Sequence, residues 1–315
     1  MSVLIEDSPR SFQVGWIAES ANAGVASGAI VDPWASPFAH RGGPGVKPGI
    51  VERAREFKDL SIPCWFDPMT HALQMPGVGD FRYYSEFDLW GGPRGDLTDG
   101  FYRTEHVRRV FNMQTALASP HIAPTLLLHA GLSNDSTLAL QLARASVEQD
   151  PATVLSIAGS GSFWASVKDL DSHIGGLAVL RPAGWSLTFT RPSNGLPPDV
   201  TADEVFGLCR TVRALSEYAP VYVSHGDLAA LPAVAAGAYA VGTGWDKRQR
   251  SVSYSDYVLR TEGIGKWYIR PTLIGLLGTL SGAESALLET QAPELADWLG
   301  GTPTPGAKEA YGVSI

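Results

Sequence analysis

The chain has 315 residues, 44% of them hydrophobic and 18% charged, with a formal net charge of −8 and two cysteines. That length accommodates one large domain or two ordinary ones around a sizeable core, and the composition excludes a disordered chain. The acidic balance argues against broad nucleic-acid or anionic-membrane binding, and two cysteines exclude both a four-cysteine zinc site and a disulfide framework.

The opening residues, MSVLIEDSPR, turn acidic at once and do not read as a signal peptide. Apolar stretches are broken well before the roughly 20 residues that a membrane span needs, so a cytoplasmic location is expected. Short β-rich runs then recur at 13–17, 28–31, 63–66, 124–129, 153–157, 185–190, 220–224 and 239–241. Between them, helical spacing is read at 49–60, 104–117, 135–149, 202–218 and 228–236. Ser136 or Asp135 is expected to cap the 135–149 helix and Thr201 the 202–218 helix. Cys64 falls in a predicted strand and Cys209 in a predicted helix, as buried thiols.

Alternating strands and helices imply a parallel sheet, and eight such strands imply closure into an α/β (β/α)8 TIM barrel. An open doubly wound sheet competes, but it usually carries a glycine fingerprint after its first strand, which is missing here. The expected organisation is a barrel over 1–253 with an inserted loop at 75–101. A C-terminal helical extension and tail at 254–315, with helices near 271–280 and 283–299, are expected to pack on the barrel. The insertion, rich in Gly, Asp and aromatics, follows the third predicted strand on the face where barrels keep their chemistry.

The stretch 220–250, PVYVSHGDLAALPAVAAGAYAVGTGWDKRQR, reads strand, short helix, strand, glycine loop. This is a βαβ unit. Its order resembles the last two strands of phosphate-binding-type (β/α)8 barrels. That resemblance implies a phosphate held by backbone N–H groups at Gly226, Gly242, Thr243 and Gly244, with Lys247 and Arg248 adding positive charge.

Strand ends supply the candidate chemistry. Glu19 follows the first predicted strand, Asp32 and Trp34 the second, and Asp67, Thr70 and His71 the third. His129 ends the fourth, Ser160 and Ser162 the fifth, Arg191 and Asn194 the sixth, and His225 and Asp227 the seventh. Asp67 with His71 pairs a carboxylate with an imidazole, and His129, His225 and Asp32 extend the acid–base set. A strand ending in Asp-Pro also reads as a simple turn, at Asp32 as at Asp67. Asp227 is expected to cap the helix after it. Arg191 suits a carboxylate or phosphate, whether on a ligand or on a neighbouring loop. Ser160 sits in a Gly-Ser-Gly-Ser loop without the nucleophile-elbow pattern and reads as part of an anion loop. Trp34 and Trp245 are placed to stack on a flat ligand.

No predicted strand contains the lysine of a Schiff-base aldolase, and histidines stand where many glycosidase barrels have glutamates. The expected function is an enzyme, of undefined reaction, acting on a phosphorylated or nucleotide-like small molecule. A divalent metal or FMN is compatible with this mouth, and neither is singled out. Two alternatives stand beside it. One is base exchange on a barrel that looks like tRNA-guanine transglycosylases, without their zinc site. The other is a non-catalytic barrel serving binding or assembly, with self-association into a homo-oligomer through the tail left open. No membrane partner is expected, and nucleic acid is disfavoured by charge without being excluded.

Overall fold

The computed structural model describes residues 2–7, 13–33, 49–74, 89–92, 94–115, 117, 120–192, 200–244, 247–253, 272–273, 278–279 and 282–298. The chain divides into two compact units, one of residues 1–194 with 200–258 and one of 195–199 with 259–315.

The larger unit is built on eight strands: β1 Ser2–Glu6, β2 Gly28–Val31, β3 Cys64–Phe66, β4 Leu127–Leu128, β5 Val154–Gly159, β6 Gly184–Arg191, β7 Val221–Ser224 and β8 Ala240–Thr243. All neighbouring pairs are parallel, in the order β3-β2-β1-β8-β7-β6-β5-β4. This order is chain order read around a ring, with the first strand paired to the eighth, so the sheet is strongly curled. A ninth strand, β9 Val252–Ser253, extends the sheet beside the end of β6, pairing Thr190 with Val252 and Arg191 with Ser253.

Between β3 and β4 no backbone ladder forms among the described residues. Full barrel closure is therefore replaced here by an open seam that side chains bridge. The 3-10 turn Thr70–Gln74 follows β3, and the Thr70 hydroxyl donates to the Thr125 carbonyl at 2.9 Å while accepting from Thr125 N–H at 2.8 Å. The Gln74 side-chain oxygen accepts from Leu127 N–H at 2.7 Å. Gln114, from helix Gly100–Thr115, treats Ile122 the same way, taking its N–H at 2.8 Å and donating to its carbonyl at 2.7 Å. Side-chain amides and a hydroxyl thus satisfy an edge that would otherwise present unpaired backbone groups. A cavity of about 360 Å³ lies at this seam, lined in part by Thr70, Gln74, Trp90, Arg94 and His106.

Strand pleating sorts the core, because residues two apart share a face. Ile5, Val31, Phe66, Val223 and Val241 point outward into the main core with the helices. Leu4, Ile30 and Ala240 form a separate inner layer with Trp65 and Tyr222, whose rings meet edge-on at 4.2 Å. Burial on both faces is what a parallel sheet requires of such apolar runs.

Seven of the eight expected strands coincide with observed ones. The exception is 13–17, which lies in helix Gln13–Asn22; Gln13 and Ile17, four residues apart, are the buried pair on its inward side. The first strand is Ser2–Glu6 instead. Thr201 caps helix Ala202–Ser216 in a capping box with Glu204, as expected. Helix Asn134–Gln149 is capped by Ser133, in a capping box with Ser136, so Ser136 occupies the reciprocal position. Both cysteines are free and half-buried. Of the insertion, 75–88 lies outside the described residues.

In the smaller unit, Thr272–Leu273 and Gly278–Thr279 pair as antiparallel strands, where a helix over 271–280 was expected. Helices Gly282–Gln291 and Pro293–Trp298 match the expectation near 283–299. The tail from 299 onward lies outside the described residues. Among the described residues, no helix is long and apolar enough to cross a membrane.

Candidate functional site

Two residues beyond each member of the inner apolar layer, on the same face, stands a polar or small residue. Leu4 leads to Glu6, Ile30 to Asp32, Trp65 to Asp67, Tyr222 to Ser224 and Ala240 to Gly242. The pleat therefore stacks an acidic layer on an aliphatic and aromatic one, at the C-terminal ends of the strands. Glu6, Asp32, Asp67 and His225 are all nearly inaccessible to solvent.

Glu6 is the centre of this layer. Its Oε1 accepts from the main-chain N–H of His225 at 3.0 Å, and its Oε2 lies 3.8 Å from His225 Nε2. Its main-chain carbonyl accepts from the side-chain amides of Gln13, at 3.4 Å, and Gln249. His225 adopts the left-handed conformation, with φ 51°, where the chain turns off β7. Gly242 is needed beside them. A Cβ there would collide with Glu6 Oε1 and come within 2.9 Å of His225 N. Donor atoms of Glu6, Asp32 and His225 all lie within 4.8 Å of one another.

Burial pushes the Glu6 carboxyl well above the usual range; the Asp32 and Asp67 charges add to the rise, against the lowering effect of the His225 N–H. Burial likewise pushes Asp67 up to about 6, although Met69 N–H donates to its Oδ1 at 2.8 Å. His71, 1% exposed, is held down to about 3 by burial and by the neighbouring His225, so its ring is neutral near pH 7. Neither ring nitrogen of His71, nor Oε2 of Glu6, has a hydrogen-bond partner among the described residues. A buried polar atom left so costs about 1–3 kcal/mol, and more when charged.

The next residue along β1 has the opposite role. Asp7 faces outward, and its Oδ2 lies 3.2 Å from Nε of Arg53, a guanidinium that is 1% exposed on helix Ile50–Asp59. One step of the pleat thus separates a structural ion pair from the inward acid. Burial, with the Asp7 charge added to it, pushes the Cys64 thiol up to about 12, so it stays protonated.

The sequence-derived candidates divide accordingly. Asp32, Asp67, His71 and His225 converge. Glu19 lies in helix Gln13–Asn22, away from any strand end, and Glu6 takes the place expected of it. His129 and Ser160 form a separate group on β4 and β5. His129 Nδ1 lies 3.0 Å from Ser160 Oγ, Ser160 Oγ lies 3.0 Å from Ser162 Oγ, and Ser162 donates to the His129 carbonyl at 2.8 Å. Arg191 is paired at 3.0 Å with Glu204 and lies over the Phe189 ring. Asp227 accepts from Thr243 at 2.7 Å and from Arg250 at 2.8 Å, where a helix cap was expected.

The glycines have protein neighbours. Gly226 N–H donates to the Gly242 carbonyl at 2.9 Å, and a Cβ on Gly244 would meet Gln249 Cβ at 2.5 Å. Trp34 and Trp245 lie outside the described residues, as do Asn194 and the side chains of Lys247 and Arg248.

No protein-family model matches the sequence, and no curated protein matches it. Among solved structures, the chain is similar to the spore coat polysaccharide biosynthesis protein spsE from Bacillus subtilis, at 9% identity and a TM-score of 0.41. The likeness covers 81% of this chain and 65% of that one, so the chain spans less than two thirds of its length. A superposition that loose says nothing about the site.

The sequence pointed to Asp32 and Asp67 through their shared strand–Asp–Pro endings, and it missed Glu6. A signal was present: Leu-Ile-Glu-Asp at 4–7 is the same apolar run into an acid as Ile-Val-Asp at 30–32 and Trp-Phe-Asp at 65–67.

Proposed function

We propose that this chain is an enzyme that moves protons on a phosphorylated or nucleotide-like small molecule, at the C-terminal mouth of a (β/α)8 barrel. The ring order of the eight parallel strands supports the barrel. One observation carries the catalytic reading: a fully buried imidazole, His71, has both ring nitrogens without a partner among the described residues, beside a layer of buried carboxylates. A buried imidazole so placed is a candidate for a reaction or a bound partner to use. In this reading Asp67 takes or gives the proton and neutral His71 passes it on. Ser160, with His129 at the rim, provides hydroxyl and imidazole contacts to the polar end of the ligand.

The test is thermal shift of the wild type, Ser160→Ala and His71→Asn against phosphate, sugar phosphates, nucleotides and nucleobases. Any ligand that binds is then followed for conversion by NMR. A ligand at a hundredfold excess over its Kd stabilises the native state by about 2.7 kcal/mol. The expected result is a phosphorylated ligand that binds the wild type, binds Ser160→Ala more weakly, and is not converted by His71→Asn. Silence across the panel, or undiminished conversion by His71→Asn, would overturn the reading.

A further inference from the structure

We propose that Glu6, Asp32 and His225 together hold one divalent first-row metal ion, manganese or zinc, at the centre of the mouth. This rests on the mouth being the reactive centre and goes beyond that by naming its resident ion.

Three independent observations carry it. First, the donors converge from β1, from the end of β2 and from the turn after β7, within 4.8 Å of one another and buried. Two donors about 2.1 Å from one ion lie at most about 4.2 Å apart, so the side chains need draw in by little.

Second, Glu6 Oε2 is buried without a hydrogen-bond partner among the described residues, beside His225 Nε2. Protonation does not remedy this. A carboxylic O–H at Oε2 would need an acceptor within hydrogen-bond reach, and His225 Nε2 at 3.8 Å is beyond it, while a carboxylate needs a donor. A cation satisfies the oxygen as it stands and removes the repulsion among Glu6, Asp32 and Asp67.

Third, the carboxylate is oriented in advance. His225 N–H holds Oε1, the amides of Gln13 and Gln249 hold the Glu6 backbone, and Gly242 leaves the space in which the carboxylate sits. Such outer contacts are what fix metal ligands in place.

The donor set selects the ion. Two carboxylates and an imidazole, with no thiolate, suit manganese or zinc better than the all-oxygen preferences of calcium and magnesium. When bound, such an ion supplies Lewis-acid polarisation of a ligand oxygen and lowers the pKa of bound water.

The experiment uses full-length protein stripped with EDTA and titrated calorimetrically with MnCl2, ZnCl2 and MgCl2. Manganese or zinc is expected to bind at one equivalent per chain, with magnesium at least about tenfold weaker. Glu6→Gln should lower that affinity about 100-fold or more while raising the melting temperature of the metal-free protein. His225→Asn, with a residue that tolerates the left-handed backbone, should lower affinity similarly and abolish nitrogen coupling in the Mn2+ electron spin echo spectrum. Should Glu6→Gln fail to fold, Asp32→Asn serves in its place.

No manganese or zinc binding up to 1 mM, or wild-type affinity in these variants, would overturn the proposal. The two readings fail separately. Conversion of a phosphorylated ligand in EDTA, without metal binding, sinks the ion and keeps the acid–base reading. One tight metal equivalent with no ligand from the panel keeps the ion and sinks that reading.

Discussion

The two halves of the mouth differ in the groups they bury and in how far their charged groups are paired. Around β4, β5 and β6, several polar groups answer one another: His129 with Ser160, Ser160 with Ser162, Arg191 with Glu204, while Trp185 Nε1 and Thr188 Oγ1 on β6 have no hydrogen-bond partner among the described residues. Around β1, β2, β3, β7 and β8, carboxylates and imidazoles are buried deeper, and Glu6 Oε2 and both His71 nitrogens have no hydrogen-bond partner among the described residues. Satisfied networks stabilise a fold, whereas groups kept unsatisfied out of water mark the place where something else is to bind. On the proposed reading the second half carries the acid–base groups and the first half the ligand's polar end, and the contrast can be tested from either side.

The largest effect is expected at Gly242→Val, whose side chain displaces the Glu6 carboxylate and presses on His225 N. A loss of at least about 4 kcal/mol in urea unfolding is expected, the range of a broken buried network. Gly15→Ala, with open space around its Cβ in helix Gln13–Asn22, should instead be neutral or stabilising. Equal behaviour of the two glycines would erase the distinction. In the first half, Arg191→Leu strands the nearly buried Glu204 and should cost about 3 kcal/mol.

Acid should act through histidines rather than through the mouth carboxylates. Burial holds His106 down to about 4, even though its Nδ1 meets the Leu89 carbonyl at 2.8 Å. Burial alone holds His173 at about 4. An unfolded chain binds those protons from about pH 6.5 downward, so this stability is complete above pH 6.5 and lost as pH falls towards 4. His106→Asn, which can still donate to Leu89, should flatten that limb by about 2–3 kcal/mol in pH-dependent melting. Asp67 runs the other way, its raised pKa making the folded state bind more protons as pH falls from about 6 to 3.8. An acid limb unchanged in His106→Asn would reassign it to His173 and His71, whose pKa values burial also lowers.

Smaller effects separate the halves most sharply. Metal-free Glu6→Gln should gain about 1–2 kcal/mol by removing a carboxyl whose ionisation burial disfavours, measured by urea unfolding in EDTA. Ser162→Ala, at an exposed hydroxyl, should change stability by no more than about 0.5 kcal/mol. A large loss in either would mean that the two halves are not built differently.

Strands from β2 to β8 were legible because each is an apolar run stopped by a small or polar cluster. The runs at 28–33 and 63–68 both end in Asp-Pro, so Asp32 and Asp67 were visible as strand ends. β1 was lost because a five-residue window at 13–17 cannot separate strand from helix spacing. That single slip shifted the predicted end of the first strand to Glu19 and hid Glu6. Gly242 and Gly244 read in the sequence as part of a backbone loop for a phosphate. At Gly242, however, the anion that approaches is the protein's own Glu6 carboxylate. The seam was invisible for a different reason: Thr70, Gln74 and Gln114 meet partners far along the chain or across a turn, and no local pattern encodes that pairing.

The pairing of β1 with β8 has a consequence for folding kinetics. Glu6 meets His225 across 219 residues of sequence and Gln249 across 243, so the centre forms by closing nearly the whole length of the larger unit. Loop closure over such distances is slow, and its contacts reward the chain only at the end. On a ribosome, β1 must wait until β8 has emerged before its outer partner exists. The centre is therefore assembled among the last contacts of the larger unit, and the Glu6–His225 contact reports that β1 has docked against β8 and the turn after β7.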